Sequence, residues 1–433
     1  MSTARPLRIA ILAHSTNPRG GVVHALELGD ALVRLGHEAT VHAPDARGAG
    51  FFRETLCETV SVPASPVGHD MTDMVETRIA DYLRHFERPE HRRFDVYHAQ
   101  DGISGNALAT LKERGLIARI ARTVHHVDSF RDPRLQALQR RAITTADRHF
   151  VVSHAWRERL AADFGLDAVV VGNGVDTARF TPVPGGGEAA LKQRLGLGEG
   201  PVFLSIGGVE QRKNTVGILE AFAQVHAWQP SAQLLIAGGA SLLDHDAYRQ
   251  RYNDILSRVS KSGLPVLEKN SAKTRESKQA FVGQPRNACL GRSGMPAGAV
   301  IETGALPQAD MPALYRIADA LVFPSLNEGF GLVVLEAMAS DLPVIVSRIA
   351  PFTEYLGEGD ALWCDPTDPA SIAAAMAAAL CDPPRARLIE AGRQGAARHD
   401  WLHTGRAHLA TYEVLATYEV LATYEVLRDA PHA

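Results

Sequence analysis

Cysteine is scarce. The four residues, Cys57, Cys289, Cys364 and Cys381, are far apart and form no Cys-x-x-Cys pair. That sets aside a disulfide framework or a zinc site of the usual ligand spacing. Long apolar runs are also missing. The longest, Ile372 to Leu380, is mostly alanine and reads as a helix, well short of the roughly 18–20 residues a membrane helix needs. There is no basic excess: the formal net charge is −4, which argues against a dedicated nucleic-acid binder while leaving local basic sites open. The opening MSTARPLRIAILAHS has neither the length nor the cleavage site of a secretory signal. A reduced, cytoplasmic protein is expected. The chain has no G-x-G-x-x-G and no H-E-x-x-H despite its 18 histidines, so neither a dinucleotide cofactor nor a metal is expected. Gly238-Gly239 ends a strand without the rest of a fingerprint. Asp244-His245-Asp246 matches a D-x-D pair but does not directly end a strand.

The chain is instead an alternation of short β-rich runs with helical patterns. Apolar residues make up 45% of 433 residues, enough for two ordinary cores. Leu7–Ala13, Glu38–Ala43, Asp95–His98, Ile120–Val124 and His149–Val152 read as strands. A helix is expected over Gly21–Gly36, with Ala25, Leu28, Leu32 and Leu35 on one face. After the Pro/Gly-rich Thr181–Gly187 the pattern restarts. Strands are expected at Pro201–Ile206, Gln233–Ala237, Ala299–Thr303, Ala320–Phe323 and Pro343–Val346. Helices are expected at Val216–His226, Met311–Ile317 and Gly331–Met338. Such alternation implies right-handed βαβ units and parallel sheets. We read an α/β protein of two doubly wound, Rossmann-like domains, 1–182 and 188–395, with a linker at 183–187 and a helix and tail at 396–433. Their facing strand ends would form a central cleft, where open α/β sheets bind ligands.

Two segments do not fit a plain alternation. Lys261–Lys278 holds four of the seven lysines, and the polar stretch to Gly298 is too long for one βα connection. It reads as a surface insertion, with a basic loop over an anionic acceptor as the alternative. In Leu409–Val426 the hexapeptide LATYEV occurs three times. Six residues advance about 600° around a helix, so the Val-Leu pairs rotate by about 120° per copy and never form one buried stripe. The first copy is expected to finish a packed helix. The other two read as a duplication, with an oligomerisation element as the alternative; the oligomeric state itself is left open.

The most informative block is Phe323–Ser347, FPSLNEGFGLVVLEAMASDLPVIVS. Glu328 and Glu336 stand in an E-x7-E arrangement. Glu328 lies in a glycine-bounded loop at a strand end, and Gly331 opens the helix that carries Glu336. Glycines permit close backbone approach to a ligand, and a helix N-terminus suits a phosphate. A carboxylate two turns in could accept hydrogen bonds from a ribose diol. This block resembles the nucleotide-sugar motif of retaining glycosyltransferases with the GT-B fold, family 4. The likeness extends to Pro18-Arg19-Gly20-Gly21, Leu35–Val41 (LGHEATV), Asn173-Gly174-Val175-Asp176, Ile206–Asn214 (IGGVEQRKN) and Met311–Tyr315 (MPALY). The lysine-rich segment and the extra repeats lie outside it.

The resemblance implies roles. Arg212 and Lys213 would hold the diphosphate, the first as a bidentate fork and the second as a point charge. They would also stabilise charge on the departing nucleoside diphosphate, so no metal is required. Glu328 would contact the donor sugar near the reacting centre, and Glu336 the ribose hydroxyls. The backbone of Gly329, Phe330, Gly331 and Leu332 would complete the phosphate contacts. Gly20 and Gly21 would let their loop approach the donor phosphate or the acceptor. Thr123–Asp128 resembles the family's histidine loop, with His125 expected to contact the donor sugar and His126 as the alternative. His98, Gln100 and Asp101, with His126, are candidates for the acceptor side; for Asp101, loop capping is the competing role. His14 is either a cleft residue or merely a polar strand end.

The resulting expectation is a metal-independent, cofactor-free retaining glycosyltransferase. It would move a sugar from a nucleotide diphosphate-sugar donor to an unidentified acceptor. The alternatives are a GT-B epimerase or phosphorylase, or a non-catalytic nucleotide-sugar-binding scaffold. Nucleic acid is not an expected partner. A basic surface would allow peripheral contact with anionic lipid, although no amphipathic basic helix marks one.

Overall fold

The computed structural model describes residues 5–68, 70–239, 246–261 and 299–428, with side chains in the last helix described to residue 417. Most of the lysine-rich insertion, Asp244, His245 and Cys289 therefore lie outside the described residues. The chain divides into two compact units, Met1–Gly174 with Asp400–Ala433, and Val175–His399. The segment Thr181–Gly187 belongs to the second.

The first unit is built on seven parallel strands: β1 (Arg8–Leu12), β2 (Glu38–Asp45), β3 (Glu58–Pro63), β4 (Val96–Ala99), β5 (Ile120–Val124), β6 (Arg148–Val151) and β7 (Val169–Val170). Their order is β3-β2-β1-β4-β5-β6-β7. The central strands are covered on both faces, which is why β1 (RIAIL) reads as a continuous apolar run. Ile9 and Ile11 face one cluster with Val22, Ala25, Leu28 and Leu32 of the helix Gly20–Arg34. Ala10 and Leu12 face the other, with Tyr82, Phe86 and Leu108. β3 and β7 are not expected from the sequence. β3 is an edge strand (ETVSVP) exposed along most of its length, and β7 has only two residues, so neither carries an apolar run.

The C-terminal helix Trp401–Arg428 packs on this unit, burying Trp401, His408, Tyr412 and Leu415. Tyr412 belongs to the first LATYEV copy and Leu415 opens the second, while Val414 between them is 42% exposed.

The second unit has six parallel strands: β8 (Val202–Ile206), β9 (Gln233–Ala237), β10 (Val300–Gly304), β11 (Ala320–Phe323), β12 (Val344–Ser347) and β13 (Leu362–Cys364). The order is β10-β9-β8-β11-β12-β13. Only the three-residue β13 was not legible as a strand. The helix Thr215–Trp228 packs Val216, Ile218, Leu219, Phe222 and Val225 into the core over this sheet. Gly238-Gly239, which lacks a dinucleotide fingerprint, has a packing role. A Cβ on Gly238 would stand 2.7 Å from the Gly208 nitrogen, so the β8 and β9 ends cross backbone to backbone. No described helix is long and apolar enough to cross a membrane.

Candidate active site

In the second unit the strand order reverses between β8 and β11. Open α/β sheets take ligands outside the carboxyl ends of the strands at such a point. The loop after β8 carries Arg212 and Lys213, and the loop after β11 carries Glu328. The Leu326 N–H donates to the Arg212 carbonyl at 2.9 Å, tying the two loops together. Arg212 Nη1 lies 3.0 Å from both Glu328 carboxylate oxygens, and Lys213 Nζ donates to Glu328 Oε2. The Lys213 and Glu328 side chains are 11% and 10% exposed and Arg212 is 43% exposed. The three groups thus form a partly sunken ion cluster with one cation at its rim.

Lys213 is held by shape as well as by charge. Its ammonium sits 4.1 Å from the centre of the Phe323 ring, and its stem lies against Gly207, where a Cβ would come within 3.0 Å. Burial alone would push the Glu328 carboxyl up, but Lys213 and Arg212 more than offset that and hold it at about 2. Burial lowers the Lys213 ammonium, and the negative Glu328 counters part of that pull. Glu210 stands 3.5 Å from Arg212. Both cations therefore already face carboxylates that a diphosphate would have to compete with or join.

Glu336 projects from the helix Leu332–Ala339, which Gly331 opens. Gly331 has φ +92°, and a Cβ there would meet Phe352 Cε1 at 2.7 Å. Phe330 stacks on Tyr355, with centroids 4.6 Å apart, and the Tyr355 hydroxyl donates to the Phe330 carbonyl at 3.1 Å. These contacts set the loop between the two glutamates. Gly331→Ala is expected to cost about 1–3 kcal/mol from backbone strain alone. A lowered thermal midpoint would show it. The Glu336 carboxyl is raised by burial, with a hydrogen bond from Tyr315 countering that.

In the first unit the order reverses between β1 and β4, and the loops after β1, β4 and β5 gather several of the expected residues. Gly21 lies under His125, where a Cβ would be 3.5 Å from the ring; Gly20 has open space around it. His125 Nε2 donates to Gln100 Oε1 at 2.9 Å, leaving Nδ1 as an acceptor. The ring packs edge-on to His24, 4.9 Å away. Burial, His24 and Arg122 push the His125 imidazole well below its usual range, so it acts as a neutral group.

Asp101 caps the helix Gly102–Glu113 by accepting from Ser104 N at 2.8 Å, while its Oδ2 stands 3.8 Å from His14 Nδ1. His126 is 56% exposed and 3.2 Å from Asp128. His98, expected on the acceptor side, is fully buried. It bonds Thr123 at 2.8 Å and the Tyr412 hydroxyl at 2.6 Å, so its side chain sits in the core beneath Gln100. Tyr315 and His24 carry no role in the sequence reading. Tyr315 stood in the quoted MPALY motif, but nothing in that motif says which side chain its hydroxyl meets.

The family model described as "Glycosyl transferases group 1" matches residues 292–395, and that described as "Glycosyltransferase Family 4" matches residues 18–179. The GDP-mannose-dependent alpha-(1-6)-phosphatidylinositol monomannoside mannosyltransferase of Mycolicibacterium smegmatis is 29% identical over 90% of this chain and 94% of its own length. The D-inositol 3-phosphate glycosyltransferase of Kineococcus radiotolerans is 26% identical over 94% of each. Among solved structures, Anabaena HepE in complex with UDP and glucose superposes with a TM-score of 0.68 at 16% identity, covering 94% of this chain and 99% of that one. Sucrose-phosphate synthase from Thermosynechococcus elongatus gives 0.66 at 20% identity, covering 99% and 100%. One matched segment lies almost wholly in the first compact unit and the other in the second, each unit built on a parallel sheet whose order reverses where the candidate residues gather, and the chain belongs to the family 4 glycosyltransferases of the GT-B fold.

Proposed function

We propose that this glycosyltransferase moves a sugar from a nucleoside diphosphate donor with retention at the anomeric carbon and without a metal ion. The observation that carries this reading is the Arg212–Lys213–Glu328 cluster at the β8/β11 reversal. When the bond from the anomeric carbon to the phosphate oxygen breaks, its electron pair passes to the diphosphate. Two cations pre-positioned beside that oxygen stabilise the growing charge, which is the work a divalent ion does elsewhere. Glu328 contacts the donor sugar, Glu336 the ribose, and the backbone of Gly329, Phe330, Gly331 and Leu332 the phosphates. In the first unit, the loop of Gly20 and Gly21 approaches the substrate, with open space at Gly20 and Gly21 packed under His125, and neutral His125 acts on the reacting sugar. Gln100, Asp101 and His126 serve the acceptor. The names of the similar enzymes make GDP-mannose the first donor to try and a phosphate-bearing polyol the first acceptor class.

The test incubates the protein with GDP-mannose, UDP-glucose or ADP-glucose and with inositol 3-phosphate or phosphatidylinositol. The product's anomeric configuration is then read by NMR. Retention with one donor fits the proposal; inversion contradicts it. His125→Ala is expected to lower kcat about 10²-fold, the range of one lost transition-state contact. Because His125 is neutral, wild-type kcat should show no step near its ordinary pKa of about 6.5. A pH–rate profile for both proteins checks this.

A further inference from the structure

We infer that Tyr315 is a positioning residue for donor recognition: its buried hydroxyl fixes the Glu336 carboxylate with one oxygen open to a ribose hydroxyl, so that the site favours ribonucleotides over 2′-deoxyribonucleotides. The inference rests on the proposed role of Glu336. Tyr315 is fully buried, and a phenol in such a place needs a hydrogen-bond partner. It donates to Glu336 Oε2 at 2.5 Å. Phe180 holds the Tyr315 ring edge to face, with centroids 5.6 Å apart. On Phe180 in turn lies the Arg179 guanidinium, 4.9 Å from the ring centre, itself bonded to the Gln308 carbonyl at 3.0 Å.

The carboxylate therefore has one anchored oxygen and one available oxygen. Glu336 Oε1 has no hydrogen-bond partner among the described residues, yet it is not enclosed as a buried unpaired atom. A glutamate otherwise has several rotatable bonds to immobilise on binding. Tyr315 meets that cost in the folded protein and leaves Oε1 aimed from a rigid helix. The charged and titratable groups acting on Glu336 are Tyr315 and Arg179, and both favour its ionised form against burial. That form accepts hydrogen bonds from hydroxyls without donating one.

The experiment measures the affinities of UDP, GDP and their 2′-deoxy forms for the full chain by calorimetry. The proteins are wild type, Tyr315→Phe, Glu336→Gln and the double variant. Wild type is expected to prefer the ribonucleotide by about tenfold or more, the worth of a hydrogen bond to a charged group. Tyr315→Phe should lose most of that preference by binding the ribonucleotide about tenfold more weakly, with the 2′-deoxy affinity unchanged. Its donor KM should rise while kcat at saturating donor stays within about threefold of wild type, since the contact is not made at the reacting centre. The double variant should resemble Glu336→Gln alone. Equal weakening of both nucleotides in Tyr315→Phe, or an unchanged ratio, would overturn the inference. If Glu336→Gln abolishes the preference and Tyr315→Phe does not, the role of Tyr315 fails and the ribose assignment stands. If Glu336→Gln leaves the preference intact, the ribose assignment fails and takes this inference with it.

Discussion

Lys213→Ala is expected to lower kcat about 10²–10³-fold, the usual loss when one preorganised group facing transition-state charge is removed. Lys213 sits beneath the rim, pinned between the Phe323 ring and Gly207, so no solvent-side lysine can substitute for it. The substitution also removes the more buried of the two cations paired with Glu328, together with the stem packed against Gly207, and so lowers stability, although Arg212 stays 3.0 Å from the carboxylate. Lys213→Met separates the two effects, because it keeps most of the stem against Gly207 while removing the charge. Both variants should lose turnover alike. Only the alanine should also lose stem packing, seen as the lower thermal midpoint of the two. A methionine variant with near-normal kcat would show that the ammonium does no chemical work.

Glu328→Gln should have two opposed effects. Arg212 and Lys213 now share Glu328 as a counter-ion. A charge pair about 4 Å apart near a protein surface is worth about 4 kcal/mol, so removing the carboxylate takes away the close counter-ion of Lys213 and leaves Arg212 with Glu210, 3.5 Å away. Free nucleoside diphosphate should bind about tenfold more tightly, a conservative share of that energy. Turnover should fall about 10²-fold, because the proposed contact with the reacting sugar is lost. Calorimetry with UDP or GDP and steady-state rates report the two effects separately. The pH dependence has a definite sign. Glu328 raises the Lys213 pKa against a burial that lowers it. Without Glu328 the ammonium loses its proton at a lower pH, and the added affinity should decline as pH rises. A glutamate with only a surface role would change neither quantity.

The fold was readable where burial forces a long apolar run and obscure where it does not. β1, β8 and β9 are covered on both faces and stood out as RIAIL, VFLSI and QLLIA. β3, β7 and β13 lie at sheet edges or have three residues or fewer, so they have little side-chain surface to hide and no pattern to read. Local chemistry was legible too: Gly331, placed at the opening of a helix, holds the positive φ that only glycine adopts freely.

Long-range pairing was not legible. Lys213 and Glu328 are 115 residues apart and Tyr315 and Glu336 are 21 apart. Only the folded sheet shows that the first two meet as an ion pair and that the second two share a hydrogen bond. His98 shows the opposite problem. A polar residue at the end of a strand looks like a surface group in sequence. Here Tyr412, from a helix more than three hundred residues away, covers it and satisfies its Nδ1.

The central claim is that Arg212 and Lys213 do the electrostatic work of glycosyl transfer without a metal ion. It is tested most directly by nucleoside diphosphate release from UDP-, GDP- and ADP-sugars, with and without excess EDTA, in wild type and Lys213→Met. Release from one donor, unchanged by EDTA and lost in the variant, is the predicted result. Release that EDTA abolishes, or that survives in Lys213→Met, would contradict it.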